Sequence, residues 1–123
     1  MPSRLPAEIV AKIRKGKILW IRAGEEHRFI GIWAVVVEDR VFVRSWSIKP
    51  EGWYRAFRKD PSGAIRVDDR IVPVRAVRTT SDRLKTAVSR AYLDKYSTGH
   101  NLEYARDMGR TKSRATTTEL VPR

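Results

Sequence analysis

The run Phe29-Ile30-Gly31-Ile32-Trp33-Ala34-Val35-Val36-Val37 is apolar at both sets of alternating positions. A strand with one wet face alternates apolar with polar residues, because successive side chains point to opposite sides of the sheet. A run without that alternation has to be covered on both sides, as in a barrel wall that also meets a partner. The tight turn Glu38-Asp39-Arg40 then sends the chain back through Val41-Phe42-Val43-Arg44-Ser45, which makes a hairpin.

The rest of the chain arranges itself around that hairpin. Pro6 to Ile13 places apolar residues at helical spacing (Ile9, Val10, Ile13), with Pro and Glu in the first turn, so an amino-terminal helix falls within residues 1–16. Lys17 to Arg22 reads as a first strand, and Trp53 to Lys59 as a short helix ended by Asp60-Pro61-Ser62-Gly63. Ala64 to Val67, a turn at Asp68-Asp69-Arg70, and Ile71 to Val77 form a second hairpin, in which Pro73 argues for an edge or bulged position. Ser81 caps a helix over residues 81–97, with Leu84, Val88, Ala91, Tyr92 and Lys95 on one stripe and Gly99 beyond its end. Asn101 starts a further helix through Met108, and the basic loop Arg110 to Arg114 leads into a final strand and tail over residues 115–123. No internal repeat is present. The order predicts an α+β fold in a single domain spanning residues 1–123: a small antiparallel six-stranded β-barrel, closed or partly open, with flanking helices.

Composition removes several classes of function. The chain has no cysteine, which excludes disulfides, a thiolate nucleophile and a Cys-type zinc site. Its longest apolar run, Ile32 to Val37, is far short of a membrane span, and the amino terminus lacks the pattern of a signal peptide. The expectation is a soluble cytoplasmic protein with no membrane partner. Lys and Arg number 26 against 14 acids, a net charge of +12 at pH 7, which favours an anionic partner without naming it. Nucleic acid, a phosphorylated cofactor and an acidic membrane surface all satisfy that charge.

Tools for acid–base or nucleophilic work are scarce. His27 and His100 fall in loops without a carboxylate at a useful spacing, and no metal-ligand spacing or nucleophile elbow occurs. No Gly-rich loop follows a strand, so neither a P-loop nor a dinucleotide fingerprint is available. A reactive centre here would have to come from a cofactor. The segment Arg44-Ser45-Trp46-Ser47-Ile48-Lys49-Pro50-Glu51-Gly52-Trp53-Tyr54-Arg55 has the composition to hold one. Hydroxyls and cations suit a phosphate, and Trp and Tyr offer a flat face to a planar ring. The alternative is that the tryptophans anchor a core or a dimer interface while the cations form a solvated face.

The order of these pieces resembles the split-barrel flavin-binding superfamily. It is carried by Ile32 to Val37, the acidic turn, Val41 to Ser45, the polar loop, Trp53-Tyr54-Arg55-Ala56 and Asp60-Pro61. That group includes the pyridoxamine-phosphate-oxidase-like proteins and the deazaflavin-dependent nitroreductases. A nearer likeness is to a bacterial domain family of unknown function within it, with an Ala-Tyr-x-x-Lys-Tyr helix (here Ala91 to Tyr96) and an Ala-Thr-Thr-x-x-Leu tail (here Ala115 to Leu120). The likeness runs from about Trp20 to Arg123. It implies an FMN-binding split-barrel-like fold, a homodimer, and FMN or a deazaflavin coenzyme held by Arg44, Ser45, Ser47, Lys49, Trp53, Tyr54 and Arg55. The chain departs from the deazaflavin-dependent pattern at two places: Ile48 to Glu51 replace its paired glycines, and Ala56 stands where it has Asn. Those glycines would ease close approach of backbone to phosphate. The Leu120-Val121-Pro122-Arg123 ending also matches the remnant of a cleaved expression tag, although the family tail ends similarly.

Three functions fit. The first is a flavin- or deazaflavin-dependent oxidoreductase in which the cofactor carries the hydride. The second is a basic module for single-stranded nucleic acid, opposed by the clustering of aromatics in one loop. The third is a cofactor-free dimeric barrel.

Overall fold

The structure, a computed structural model, describes residues 4–25, 27–45, 52–97, 99 and 101–123. Helix α1 (Ala7–Lys15) leads into β1 (Leu19–Ala23), β2 (Ile30–Ile32), β3 (Ala34–Val37) and β4 (Arg40–Val43). Helix α2 (Trp53–Lys59), β5 (Ser62–Val67) and β6 (Arg70–Arg78) come next. Helices α3 (Asp82–Lys95), α4 (Asn101–Met108) and α5 (Thr111–Arg114) precede β7 (Thr118–Pro122).

The strands form one antiparallel sheet in the order β2-β1-β5-β6-β7-β4-β3. Its two edge strands, β2 and β3, are neighbours in the chain with Trp33 alone between them. Two consecutive peptide steps span about 7 Å at most, so the opposite edges of the sheet are forced together. The result is a nearly closed, barrel-like sheet. Seven strands replace the six expected, because the apolar run Phe29 to Val37 breaks at Trp33 and supplies both edges.

The interior is filled by Ile21, Val41, Val43, Ile65, Val74 and Leu120, with α1 contributing Ile9, Val10 and Ile13. A second cluster lies on the opposite side of β3 and β4, where Val35 and Phe42 meet Leu84, Val88, Tyr92 and Tyr96 of α3 and Met108 of α4. The apolarity of both faces of β3 is thus satisfied within the chain. Covering by a partner subunit was the expectation; α3 does that work instead.

Local signals explain most element boundaries. The Ser81 hydroxyl accepts the Leu84 amide at 3.2 Å and starts α3. Glu38 and Asp39, both in left-handed backbone (φ 54° and 60°), make the two-residue hairpin turn from β3 to β4. The edge position expected of Pro73 holds locally, and one other expectation needs correction. Pro73 lies within a strand that is central for part of its length, paired with Ala64 of β5, but β7 reaches only as far as Val74. The missing N–H therefore removes no bond to β7. The basic loop Arg110 to Arg114 contains the short helix α5, and Leu120 to Pro122 belong to β7, with Leu120 buried between Val41 and Ala76.

Candidate functional site

Arg44 follows the last residue of β4, and its side chain turns inward rather than toward solvent; it is 1% exposed. The guanidinium donates from Nε to Thr117 Oγ1 at 2.8 Å. From Nη1 it reaches Ser89 Oγ at 2.8 Å and the Met108 carbonyl at 2.7 Å, and from Nη2 the Lys85 carbonyl at 2.7 Å. One planar fork thereby ties the end of β4 to α3, to the carboxyl end of α4 and to the residue just before β7. All four acceptors are neutral. Burial lowers the Arg44 pKa to about 10, which leaves it charged at neutral pH. The Met108 carbonyl, at the negative end of α4, supplies part of the missing counter-charge.

Ser45 is buried as well. Its amide donates to Thr116 Oγ1 at 2.8 Å, and Thr116 in turn donates to the Ser113 carbonyl at 2.6 Å. Thr117 donates to the Arg114 carbonyl at 2.6 Å while accepting from Arg44. The Ala115-Thr116-Thr117 sequence is therefore the anchor for the point where the chain leaves β4.

The helix motif Ala91 to Tyr96 has a comparable task at Trp33. Tyr92 Oη accepts the Arg44 amide at 3.0 Å and donates to the Trp33 carbonyl at 3.0 Å. Lys95 Nζ donates to the carbonyls of Ala34 (2.7 Å) and Ile13 (2.9 Å). Tyr96 Oη reaches the Lys17 carbonyl at 2.6 Å and lies 3.3 Å from that of Ala34. Backbone carbonyls at the break between β2 and β3 are thereby satisfied by side chains. Burial raises the Tyr92 phenol and pushes Tyr96 up to about 12, while it lowers Lys95 to about 8.

Beside this anchor opens a cleft of about 240 Å³, lined by Ile18, Gly31, Trp33, Arg44, Trp53 and Tyr104. Trp33 stacks on Tyr96 with centroids 3.9 Å apart and meets Tyr104 edge-on at 6.5 Å. Trp53 is brought in by α2, which seats Phe57 in the barrel core. That seat needs Gly63: a Cβ there would run into the Arg22 carbonyl oxygen and come within 2.6 Å of the Phe57 ring.

The expected cofactor residues separate. Arg44 and Trp53 share the cleft. Ser45 belongs to the buried anchor, and Tyr54 is buried on another side of α2, edge-on to Trp53 at 6.2 Å and beside Phe57, Arg58 and Pro61. Trp53 and Tyr54 thus do not form one plate, as neighbours in a helix point in different directions. Arg55 is exposed, and Ser47 and Lys49 lie outside the described residues. His27 is exposed; His100 lies outside the described residues. Trp33 and Tyr104 were not singled out as site residues from sequence. The signal for Trp33 was one bulky indole inside a run of aliphatics; Tyr104 carried none.

Fold and site together define an α+β protein with a nearly closed antiparallel barrel and an aromatic cleft at its seam. The chain belongs to the DUF2255 family, described as uncharacterized proteins conserved in bacteria, which it matches over residues 10–120. Among curated proteins no match to the sequence was found. The fold is similar to the crystal structure of a conserved hypothetical protein from Mycobacterium tuberculosis. The TM-score is 0.58 at 13% identity, with 98% of this chain and 84% of that one covered. Among the described residues no helix is long and apolar enough to cross a membrane.

Proposed function

We propose that the cleft seats the ring system of a flavin-type cofactor, FMN or a deazaflavin, in a barrel of the split-barrel kind, and that the protein is an oxidoreductase. The observation that carries this reading is the position of Arg44 and Trp53. They bracket the polar segment over residues 45–52, and both line the same cleft as Trp33 and Tyr104. A space of about 240 Å³ is below the usual range for a whole drug-sized ligand, and suits a ring whose tail lies outside. When bound, such a cofactor supplies hydride transfer.

The protein's own residues bind and orient. Trp33, Trp53 and Tyr104 give apolar walls that pack a planar ring and keep water from it. Arg44 lies buried in the cleft wall, its guanidinium committed to four neutral internal partners, and its charge favours an electron-rich ring through its field and not through direct contact. Arg55 at the start of α2, with Ser47 and Lys49 from the segment before it, would meet the phosphate. The resemblance adds a homodimer to this reading; the apolar faces of β3 no longer ask for one.

Titration with FMN and with a phosphorylated deazaflavin tests the proposal, followed by quenching of cofactor fluorescence and by co-elution on a sizing column. Micromolar binding is expected, weakened at least about tenfold in Trp53→Ala and in the Lys49→Ala, Arg55→Ala double variant. No binding at millimolar cofactor would overturn it.

A further inference from the structure

The outer face of the barrel around β1, β5 and β6 carries rings and arginines in one array. Trp20, Arg66 and Ile71 stand in direct cross-strand register, followed by the row Arg22, Ala64, Pro73 and then Ser62 and Arg75. Trp20 is 42% exposed and Ile71 57%. The Trp20 ring rests over Gly31 on β2, where a Cβ would approach it to 3.4 Å. Arg66 lies 5.3 Å from the centroids of both Trp20 and Phe29, and Arg22 lies 4.7 Å from Phe29. These cation–π contacts place both guanidiniums against aromatic rings of the outer face. Arg22 Nε is buried and has no hydrogen-bond partner among the described residues.

Among the described residues, none of Arg22, Arg66 and Arg75 pairs with a carboxylate. Two acids on the strands and turns of this side are engaged by other cations: Glu119 by Arg40 and Asp68 by Lys12. A groove of about 360 Å³ runs from Trp20 and Arg66 past Lys12 and Gly16. An exposed indole, flanking aromatics and unpaired cations on successive strands are what a solvent-facing sheet needs to hold bases by stacking and phosphates by charge. A second copy of the chain is a poor occupant, because a two-fold contact would bring Arg22 and Arg66 near their own counterparts with no acid between.

We propose that this face binds single-stranded nucleic acid, with one base stacked on Trp20 and phosphates held by Arg22, Arg66 and Arg75. This face borders the cleft at Ile18 and Gly31, and its binding needs no cofactor there. The aromatics that sequence alone placed in one loop are in fact also spread across β1 and the approach to β2.

Anisotropy of labelled oligo-dT and oligo-rU strands of about 12 nucleotides, a length within one barrel's site size, provides the test. Three phosphate contacts on a single strand give a salt slope of about −2, so binding should weaken roughly 20-fold between about 50 and 200 mM salt. Trp20→Ala should weaken binding about 5- to 100-fold without changing that slope. Arg66→Gln should reduce the fall over the same range to roughly sevenfold. Arg90→Gln, an exposed cation on α3, should change affinity less than twofold. Equal affinity for dT and rU strands locates recognition in features the two share, base stacking and phosphate charge; preference for one adds the 2′-hydroxyl or the thymine methyl. Failure to bind either strand at about 50 mM salt overturns the proposal. Binding unaffected in both Trp20→Ala and Arg66→Gln does so too. So does a dimer or an anionic-vesicle complex that Trp20→Ala abolishes while strand binding is absent.

Discussion

Arg44 shows how a single residue can be mistaken for surface chemistry. Its neighbours in sequence are polar and cationic, yet its guanidinium is buried among Thr117, Ser89, Met108 and Lys85. Removing a charged group from water costs several kcal/mol, and here no carboxylate offsets it directly. What compensates is geometry: a rigid fork whose donors meet oxygens from three helices or strands at once. Lysine keeps the charge but has neither the fork nor the reach to meet all four acceptors. Arg44→Lys should therefore lower stability by about 2–3 kcal/mol, as two buried acceptors lose their donors. Urea unfolding checks this: the midpoint should fall while the m-value stays constant. The same variant should loosen the cleft, because Arg44 is part of its wall.

At the scale of elements, α3 is the clasp that holds the seam between β2 and β3, through Tyr92, Lys95 and Tyr96 on the Trp33 and Ala34 carbonyls. Lys95 titrates near 8 when folded, lowered by burial from the 10.5 of a free lysine. The unfolded chain therefore holds more protons between those values, and stability rises with pH across that window. Tyr96 acts oppositely. Raised by burial from 10 to about 12, it contributes stability that is present below pH 10 and lost above it. Between pH 8 and 10 the lysine acts alone, so the stability difference between wild type and Lys95→Met should move in favour of wild type. Denaturant melts at pH 7.5, 8.5 and 9.5 measure it; a flat difference would exclude Lys95 as a buried titrating group. Elements set by neighbours in sequence were legible beforehand, including α2, the Ser81 cap of α3, α4 and both hairpin turns. The break at Trp33 was not, because a doubly apolar run says that both faces are covered but not by what. Nor was the cleft: Trp33, Tyr104 and Arg44 meet through contacts between distant parts of the chain, which local pattern does not record.

The whole molecule depends on its last strand. On one side of β7 lies the group β2-β1-β5-β6, and on the other the pair β4-β3. Among the described residues, strand pairing joins these halves only through β7, by Val74 to Arg78 on one edge and Val41 to Val43 on the other. The halves are further joined covalently at Trp33 and through the stretch that carries α2 from β4 to β5, and α1 packs against both. Thr117 and Thr116, just before β7, also hold Arg44 and Ser45, so the end of the chain fixes the cleft as well as the barrel. Deleting residues 118–123 should leave two fragments of sheet with exposed inner edges and no buried Leu120 between them. The expected product loses cooperative thermal unfolding, binds a hydrophobic dye and aggregates. A milder variant separates loss of the strand from loss of its core residue. Leu120→Ala should keep a cooperative transition while lowering stability by about 2–4 kcal/mol. If the deletion melted as sharply as the full chain, the barrel would have to close without β7, and the sheet order would be wrong.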